Sequence, residues 1–559
     1  MTRYLAILAA FAALACSPPP SPTDASSDAG SMGSDATDAH IINDGAIDAI
    51  DDASADGEAD ASLPPPEARP PAGPLRGTRG RGFQAFLGIP YAEPPVGDRR
   101  WRSPVAKAPW TNVRDAITPG AACAQSGLGN NLGAEDCLFI NVHTPDPRPT
   151  NAPVMVWIHG GAFVFGEGLQ TDRGTAGDIL AQRYGMVVVS MNYRLGNFGF
   201  FTSPSIGANG NQGFEDQQLA LRWVRDNVSA FGGDPNNVTI VGESAGGISV
   251  CLHLVAPASQ GLYRRAVSQS GLCDSALPTR AQAEMAGTDV VRSLGCDTAP
   301  DLGACMRGKT MPEVRTAGAL GGNVFATLLA STRSSWPSID GTVLPGQFRE
   351  RVTAGSVADV PMIFGWNRDE GTLFVALAEL GGTMIQESTR AMVLDSLASQ
   401  SGVDRAAIDA QYPRSRYSDV RLAIAEPLGH FALACPSRRA AKLLAERGRT
   451  VFTYRFDFPD AAFQLPPDWA LGAFHSAEIQ FVFGRSARVG MPRFNAEQSM
   501  LHLAMSGYWA RFVRGGDPNG DGAVPWMPRT MTAERSLVID RTFAMRDNVD
   551  RDPCALWDR

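Results

Sequence analysis

The sequence predicts an α/β protein whose core is a largely parallel β-sheet covered by helices on both faces. Two observations carry this. Short, continuous apolar runs rich in β-branched residues recur along the chain: Val154 to Ile158, Met186 to Asn192, Val238 to Gly242, Ala266 to Ser268, Pro361 to Phe364 and Val451 to Phe456. Strands buried on both faces read this way, whereas strands with one wet face alternate. Helical stretches lie between the runs, among them Phe214 to Phe231 and Ala440 to Arg447, and this alternation requires crossover connections. There is no internal repeat.

The N-terminus precedes that pattern and has another character. Arg3 is followed by an apolar run of 11 residues, Leu5 to Ala15, which is short for a bilayer span and suits an export signal. Ala13-Leu14-Ala15-Cys16 resembles the lipobox of bacterial lipoproteins, with Ala13 where Leu is usual. That resemblance implies cleavage after residue 15 and lipid attachment at Cys16. It further implies an exported protein held to a membrane, the outer membrane given Ser17 after the cysteine, or otherwise a periplasmic or secreted one.

Residues 16–74 are expected to form a disordered tether. From Ser17 on, the segment is built of Ser, Pro, Ala, Asp and Gly without an aromatic residue, and such a chain buries too little apolar surface to offset its entropy. It also explains the charge. The formal net charge is −9, but residues 17–68 hold twelve Asp or Glu and no Lys or Arg, so the chain from Arg69 on carries +2. A nearly neutral body without a basic stripe argues against nucleic acid as a partner. Residues 75–559 are expected to form one large domain.

Gly242-Glu243-Ser244-Ala245-Gly246 is a Gly-x-Ser-x-Gly pentapeptide directly after the strand Val238 to Val241 and before a stretch rich in small residues. This context is what a nucleophile elbow requires: a strand-to-helix turn too tight for large neighbours, which lifts the serine hydroxyl above the sheet at a helix N-terminus. An oxyanion needs backbone N–H donors. The strand Val154 to Ile158 runs into His159-Gly160-Gly161-Ala162, so Gly161 and Ala162, together with Ala245 after the serine, are the candidate donors.

At this point the chain resembles the type B carboxylesterases, the cholinesterase-like branch of the α/β-hydrolases, over nearly all of residues 75–559. The serine signature runs from Phe231-Gly232-Gly233-Asp234-Pro235-Asn236-Asn237 to Gly242-Glu243-Ser244-Ala245-Gly246-Gly247. A second signature is Glu135-Asp136-Cys137-Leu138, with His143 where an apolar residue is usual. Gly88-Ile89-Pro90-Tyr91-Ala92, Asn192-Tyr193-Arg194, Asp216-Gln217 and Trp223-Val224 also match. The resemblance implies the α/β-hydrolase fold and a Ser-Glu-His triad. Its acid motif falls on Asn367-Arg368-Asp369-Glu370-Gly371 and selects Glu370 over Asp369. Its base motif falls on His475, ahead of Glu478-Ile479-Gln480-Phe481-Val482-Phe483-Gly484.

Elimination among the seven histidines leads to the same base. His40 lies in the tether and His159 in the oxyanion loop; His143, His253, His430 and His502 belong to no motif; His475 alone both follows Ser244 and a suitable acid and lies in a loop before a hydrophobic segment. The serine needs such a base, since its hydroxyl is barely nucleophilic at neutral pH.

Of nine cysteines, the resemblance pairs Cys123 with Cys137, Cys296 with Cys305, and Cys435 with Cys554. Cys16 is assigned to lipid, and Cys251 and Cys273 remain as expected free thiols. The Cys123–Cys137 loop has 13 intervening residues and no Trp, whereas cholinesterases carry there a longer loop with a Trp that binds quaternary ammonium, so the chain does not read as a choline-ester specialist. Asp517-Pro518-Asn519-Gly520-Asp521-Gly522 begins like a calcium loop, but Pro528 stands at its twelfth position in place of Glu, and a turn is expected.

The expected function is hydrolysis of carboxylic esters through an acyl-enzyme, needing no metal or organic cofactor. The alternatives are a lipase on long-chain glycerides, or a binding protein of cholinesterase-like fold that performs no catalysis. Neither the acyl and alcohol preference nor the oligomeric state follows from the sequence.

Overall fold

The computed structural model describes residues 63–125, 133–169, 174–317, 335–461, 469–485 and 494–558. The expected signal segment, Cys16 and most of the expected tether lie outside these. Among the described residues, regular structure begins at Glu67–Ala68, which pairs antiparallel with Leu75–Arg76, ahead of the Leu75 boundary read from composition.

Among the described residues the main sheet has eleven strands. In chain order they are β1 (Thr78–Gly80), β2 (Phe83–Pro90), β3 (Phe139–Pro145), β4 (Ala152–Ile158), β5 (Val187–Met191) and β6 (Gly233–Glu243). They continue as β7 (Arg265–Gln269), β8 (Met362–Asn367), β9 (Val451–Phe456), β10 (Arg535–Ile539) and β11 (Phe543–Asp547). Across the sheet the order is β11-β10-β9-β8-β7-β6-β4-β5-β3-β2-β1. The strands from β5 to β10 pair in parallel, and the antiparallel pairs lie at the two margins. All six apolar runs singled out above lie on strands of this parallel centre.

The central strands bury both faces. In β4, Val154, Val156 and Ile158 join one core while Met155 and Trp157 join the other; in β5, Val187, Val189 and Met191 face one way and Val188 the other. This is the two-residue period of a pleated strand with apolar side chains on both faces. One core is closed by the helices Gln212–Asn227, Ala245–Val255 and Cys435–Glu446, through residues such as Phe214, Leu221, Val250 and Leu444. The other is closed by Ala496–Gly515, through Leu501, Met505, Trp509 and Phe512. Each fully buried Val, Leu or Phe contributes roughly 1.5–3 kcal/mol, so a charge placed at Val156 would disrupt the layer.

Four disulfides form: Cys123–Cys137, Cys296–Cys305, Cys435–Cys554 and Cys251–Cys273. The last corrects the expectation of two free thiols. Cys251 sits on the helix after β6, and Cys273 on the loop after the neighbouring parallel strand β7. A β-α-β crossover stacks those two segments, although 22 residues separate the cysteines in the chain. Asp517–Gly522 is a turn: Asp517 accepts the Asn519 backbone N–H at 3.0 Å, and the Asn519 side chain both accepts from and donates to the Trp526 backbone. Among the described residues no helix is long and apolar enough to cross a membrane.

Candidate active site

The strand β6 runs into the helix Ala245–Val255 through Ser244, which has φ +57° and ψ −121°. That conformation is rare for a side-chain-bearing residue and costs of order 1–3 kcal/mol, so the surroundings must impose it. They do so by close packing. A Cβ on Gly246 would lie 2.0 Å from the Ile158 carbonyl oxygen, and one on Gly242 2.4 Å from the Gly246 oxygen. The small residues of the pentapeptide are thus required by backbone contact. From Val238 to Ala256 every residue except Ser244 is buried, and Ser244 is partly exposed. Its backbone N–H donates to the Gln269 carbonyl at 2.9 Å, which fixes the elbow to the end of β7.

The Gly-rich loop after β4 meets the elbow. A Cβ on Gly160 would lie 3.0 Å from Ser244 Cβ. The next three residues turn through positive φ: Gly161 at +107°, Ala162 at +53° and Phe163 at +62°. The turn is closed by Val164 and Phe165 N–H groups donating to the Gly161 carbonyl, and the Gly161 and Ala162 N–H groups have no part in that closure. The His159 ring is buried and stacks on Tyr193, centroids 4.4 Å apart.

His475 Nδ1 lies 2.7 Å from Glu370 Oε2. The other carboxylate oxygen of Glu370 accepts two hydrogen bonds, from the Ser270 hydroxyl at 2.6 Å and the Asn367 backbone N–H at 2.8 Å. Glu370 is therefore oriented by three partners and is 1 % exposed. Asp369 points elsewhere: its carboxylate accepts the Ala473 backbone N–H at 2.8 Å and pairs with Arg368. The two adjacent carboxylates therefore meet different partners.

On its far side, His475 Nε2 faces Glu243 Oε1 at 3.2 Å. Among the described residues no hydrogen bond joins the Ser244 hydroxyl to His475. Such contacts are often loose without substrate and tighten in the complex. Burial disfavours the His475 imidazolium, but the carboxylates of Glu243 and Glu370 outweigh it and hold the pKa at about 9. Burial pushes His253 down to about 3 and His502 to about 4, and it lowers His143 and His430. Those histidines stay neutral, as expected of structural ones. Glu478, which local reading had used only as a motif letter, is fully buried; burial raises its pKa, and it accepts from Gln269 at 2.9 Å and Asn367 at 2.7 Å. A cavity of about 430 Å³ touches Glu370, Tyr417 and His430 but neither Ser244 nor His475, so it is separate from the elbow.

A parallel-centred sheet with a serine on the turn after β6, the third strand of its parallel centre in chain order, and a His–Glu pair on the loops beyond is an α/β-hydrolase. The chain matches the model of the carboxylesterase family over residues 65–557, and it belongs to that family. It is 35% identical over 488 residues to acylcarnitine hydrolase of Mus musculus, covering 82% of this chain and 83% of that one. Among solved structures it resembles a PNB esterase with a TM-score of 0.74 at 29% identity, covering 88% of this chain and 99% of the other. Family membership makes it a carboxylic ester hydrolase.

Proposed function

We propose that the chain is a serine esterase acting through Ser244, His475 and Glu370. Ser244 attacks the ester carbonyl while His475 takes its proton. The oxyanion that forms accepts N–H groups of Gly161, Ala162 and Ala245. His475 then protonates the departing alcohol, and water, deprotonated by the same imidazole, releases the acid and restores the serine. Glu370 holds the tautomer with hydrogen on Nδ1 and stabilises the imidazolium. The observation that carries this reading is the 2.7 Å contact of Glu370 with His475 Nδ1, which leaves Nε2 directed at the residue before Ser244. A fluorophosphonate probe followed by peptide mass spectrometry tests it: the label should sit on Ser244. A protein that takes no label would instead be a binding module of the same fold. The names of the two relatives support ester substrates, and hydrolysis rates over p-nitrophenyl esters of rising chain length separate a short-ester enzyme from a lipase.

The enzyme is also proposed to be exported and anchored through a lipid on Cys16. Its support is the short apolar run ending at Ala13-Leu14-Ala15-Cys16. The four disulfides add to this, since such bonds persist in oxidising compartments.

A further inference from the structure

We infer that the Cys251–Cys273 bridge positions the catalytic acid, by locking the loop that orients Glu370 onto the helix that follows Ser244. The inference rests on the roles proposed above for Ser244, Glu370 and His475.

The loop from Ser270 to Cys273 leaves the end of β7 and does two things at once. Just before it, Gln269 accepts the Ser244 backbone N–H at 2.9 Å. Its first residue, Ser270, donates to Glu370 Oε1 at 2.6 Å. One short segment thus sets both the nucleophile's backbone and the acid's carboxylate. Its path is unfavourable, however: Ser270 has φ +50° and Leu272 φ +41°, a region that side-chain-bearing residues rarely adopt. Something must hold it there.

Part of that hold is ordinary: Leu272 and Cys273 are buried in the core, and the Ser270 N–H donates to the Gly365 carbonyl at 2.8 Å. The contact with the helix after Ser244 is different. The loop meets the helix through two glycines. A Cβ on Gly271 would fall 2.8 Å from the Gly247 carbonyl carbon, and one on Gly247 2.8 Å from Gly271 Cα. Such a contact is backbone on backbone and buries no apolar side chain at its centre. The Ser268 hydroxyl donates to the Gly247 carbonyl at 3.0 Å and lies 3.5 Å and 3.3 Å from the sulfurs of Cys251 and Cys273. The covalent link lies beside this glycine contact, with Cys251 fully buried and Cys273 4 % exposed. It ties helix to loop covalently at this point. Ser270 and the two cysteines are accordingly positioning residues: they act on the acid, not on the ester.

The test is a double-mutant cycle with the full-length enzyme, using Cys251→Ala with Cys273→Ala as one change and Ser270→Ala as the other. Cys296→Ala with Cys305→Ala, which opens a bridge in a separate cluster with Trp101 and Phe201, is the control. Removing the Cys251–Cys273 bridge should lower kcat for a p-nitrophenyl ester roughly tenfold with KM within about twofold, since a hydrogen bond to a charged group is lost or misaligned. Ser270→Ala should lower kcat to a similar extent in the bridged enzyme and add little once the bridge is gone. Opening the control bridge should lower the melting temperature and leave kcat alone. Equal kcat in the two bridge variants, or losses that multiply, would overturn the inference. Hydrogen exchange on the wild-type enzyme adds a test that needs no variant: the amides of residues 270–273 should exchange as slowly as those of β7, and exchange at the rate of an exposed loop would overturn it too. Fluorophosphonate labelling of a residue other than Ser244 would instead sink the triad reading.

Discussion

The carboxylate of Asp369 accepts the backbone N–H of Ala473 at 2.8 Å, two residues before His475. The neighbouring Glu370 reaches the imidazole itself at 2.7 Å. Adjacent acids thus share the loop that carries His475, one holding its backbone and the other its ring. Glu370→Gln should keep the shape and lose the charge that stabilises imidazolium, lowering kcat about 10²- to 10⁴-fold. Asp369→Asn should cost about 1 kcal/mol of stability and leave kcat within a few-fold. Parallel kinetics and melting curves check this, and the reverse ranking would assign the acid to Asp369.

The pH dependence follows from Glu243. Its carboxylate and that of Glu370 keep His475 protonated up to about pH 9, so the base form, and kcat/KM with it, should rise as pH rises through that value. Glu243→Gln removes one of the charges that favour imidazolium. The His475 pKa should fall, and the acidic limb of the kcat/KM profile should move to lower pH by about one unit or more. An unmoved limb, or one displaced upward, would show that Glu243 does not act on this imidazole.

The elbow's packing gives a stability prediction. Gly246→Ala drives a methyl to 2.0 Å from the Ile158 oxygen, backbone against which neither β4 nor the helix can yield. It should destabilise by about 3 kcal/mol or more and abolish activity. Gly308→Ala, on a helix end with nothing within 4 Å, is the matched control and should be neutral or mildly stabilising. Thermal unfolding of the two proteins decides it.

The contrast between Gly246 and Cys251 marks what the chain alone discloses. The elbow is a local device: strand, small residues and serine are contiguous, so its chemistry is written in consecutive letters. The six apolar runs were equally plain, because a strand buried on both faces needs apolar side chains at every position. Glu370 required the family resemblance, since nothing local says that Glu370 turns inward while Asp369 takes a backbone N–H; His475 follows from the resemblance and from elimination alike. The Cys251–Cys273 bond and the Glu243–His475 contact were not legible at all. Both depend on which strand lies next to which, and a parallel sheet sets that through crossovers whose order leaves no mark in spacing. The pairing of Glu67–Ala68 with Leu75–Arg76 was hidden differently, inside a Pro- and Ala-rich composition continuous with the tether.

Cys16→Ser should release the enzyme from membranes. Each buried CH₂ of a lipid chain contributes about 0.8 kcal/mol, and more than one chain is needed for stable anchoring. Fractionation of wild type with membranes, and a mature N-terminal peptide carrying acyl mass on Cys16, are the expected results. An unmodified peptide with both proteins equally soluble would eliminate the anchor.

The central claim is that Ser244 forms the acyl-enzyme, and single-turnover hydrolysis by Ser244→Ala tests it most directly. The purified variant should fold with the wild-type melting temperature and lose about 10⁶-fold in kcat, as expected when a nucleophile is removed from groups that act as a unit. A folded variant that keeps more than a small fraction of wild-type turnover, or that still accumulates an acyl-enzyme, would contradict the account.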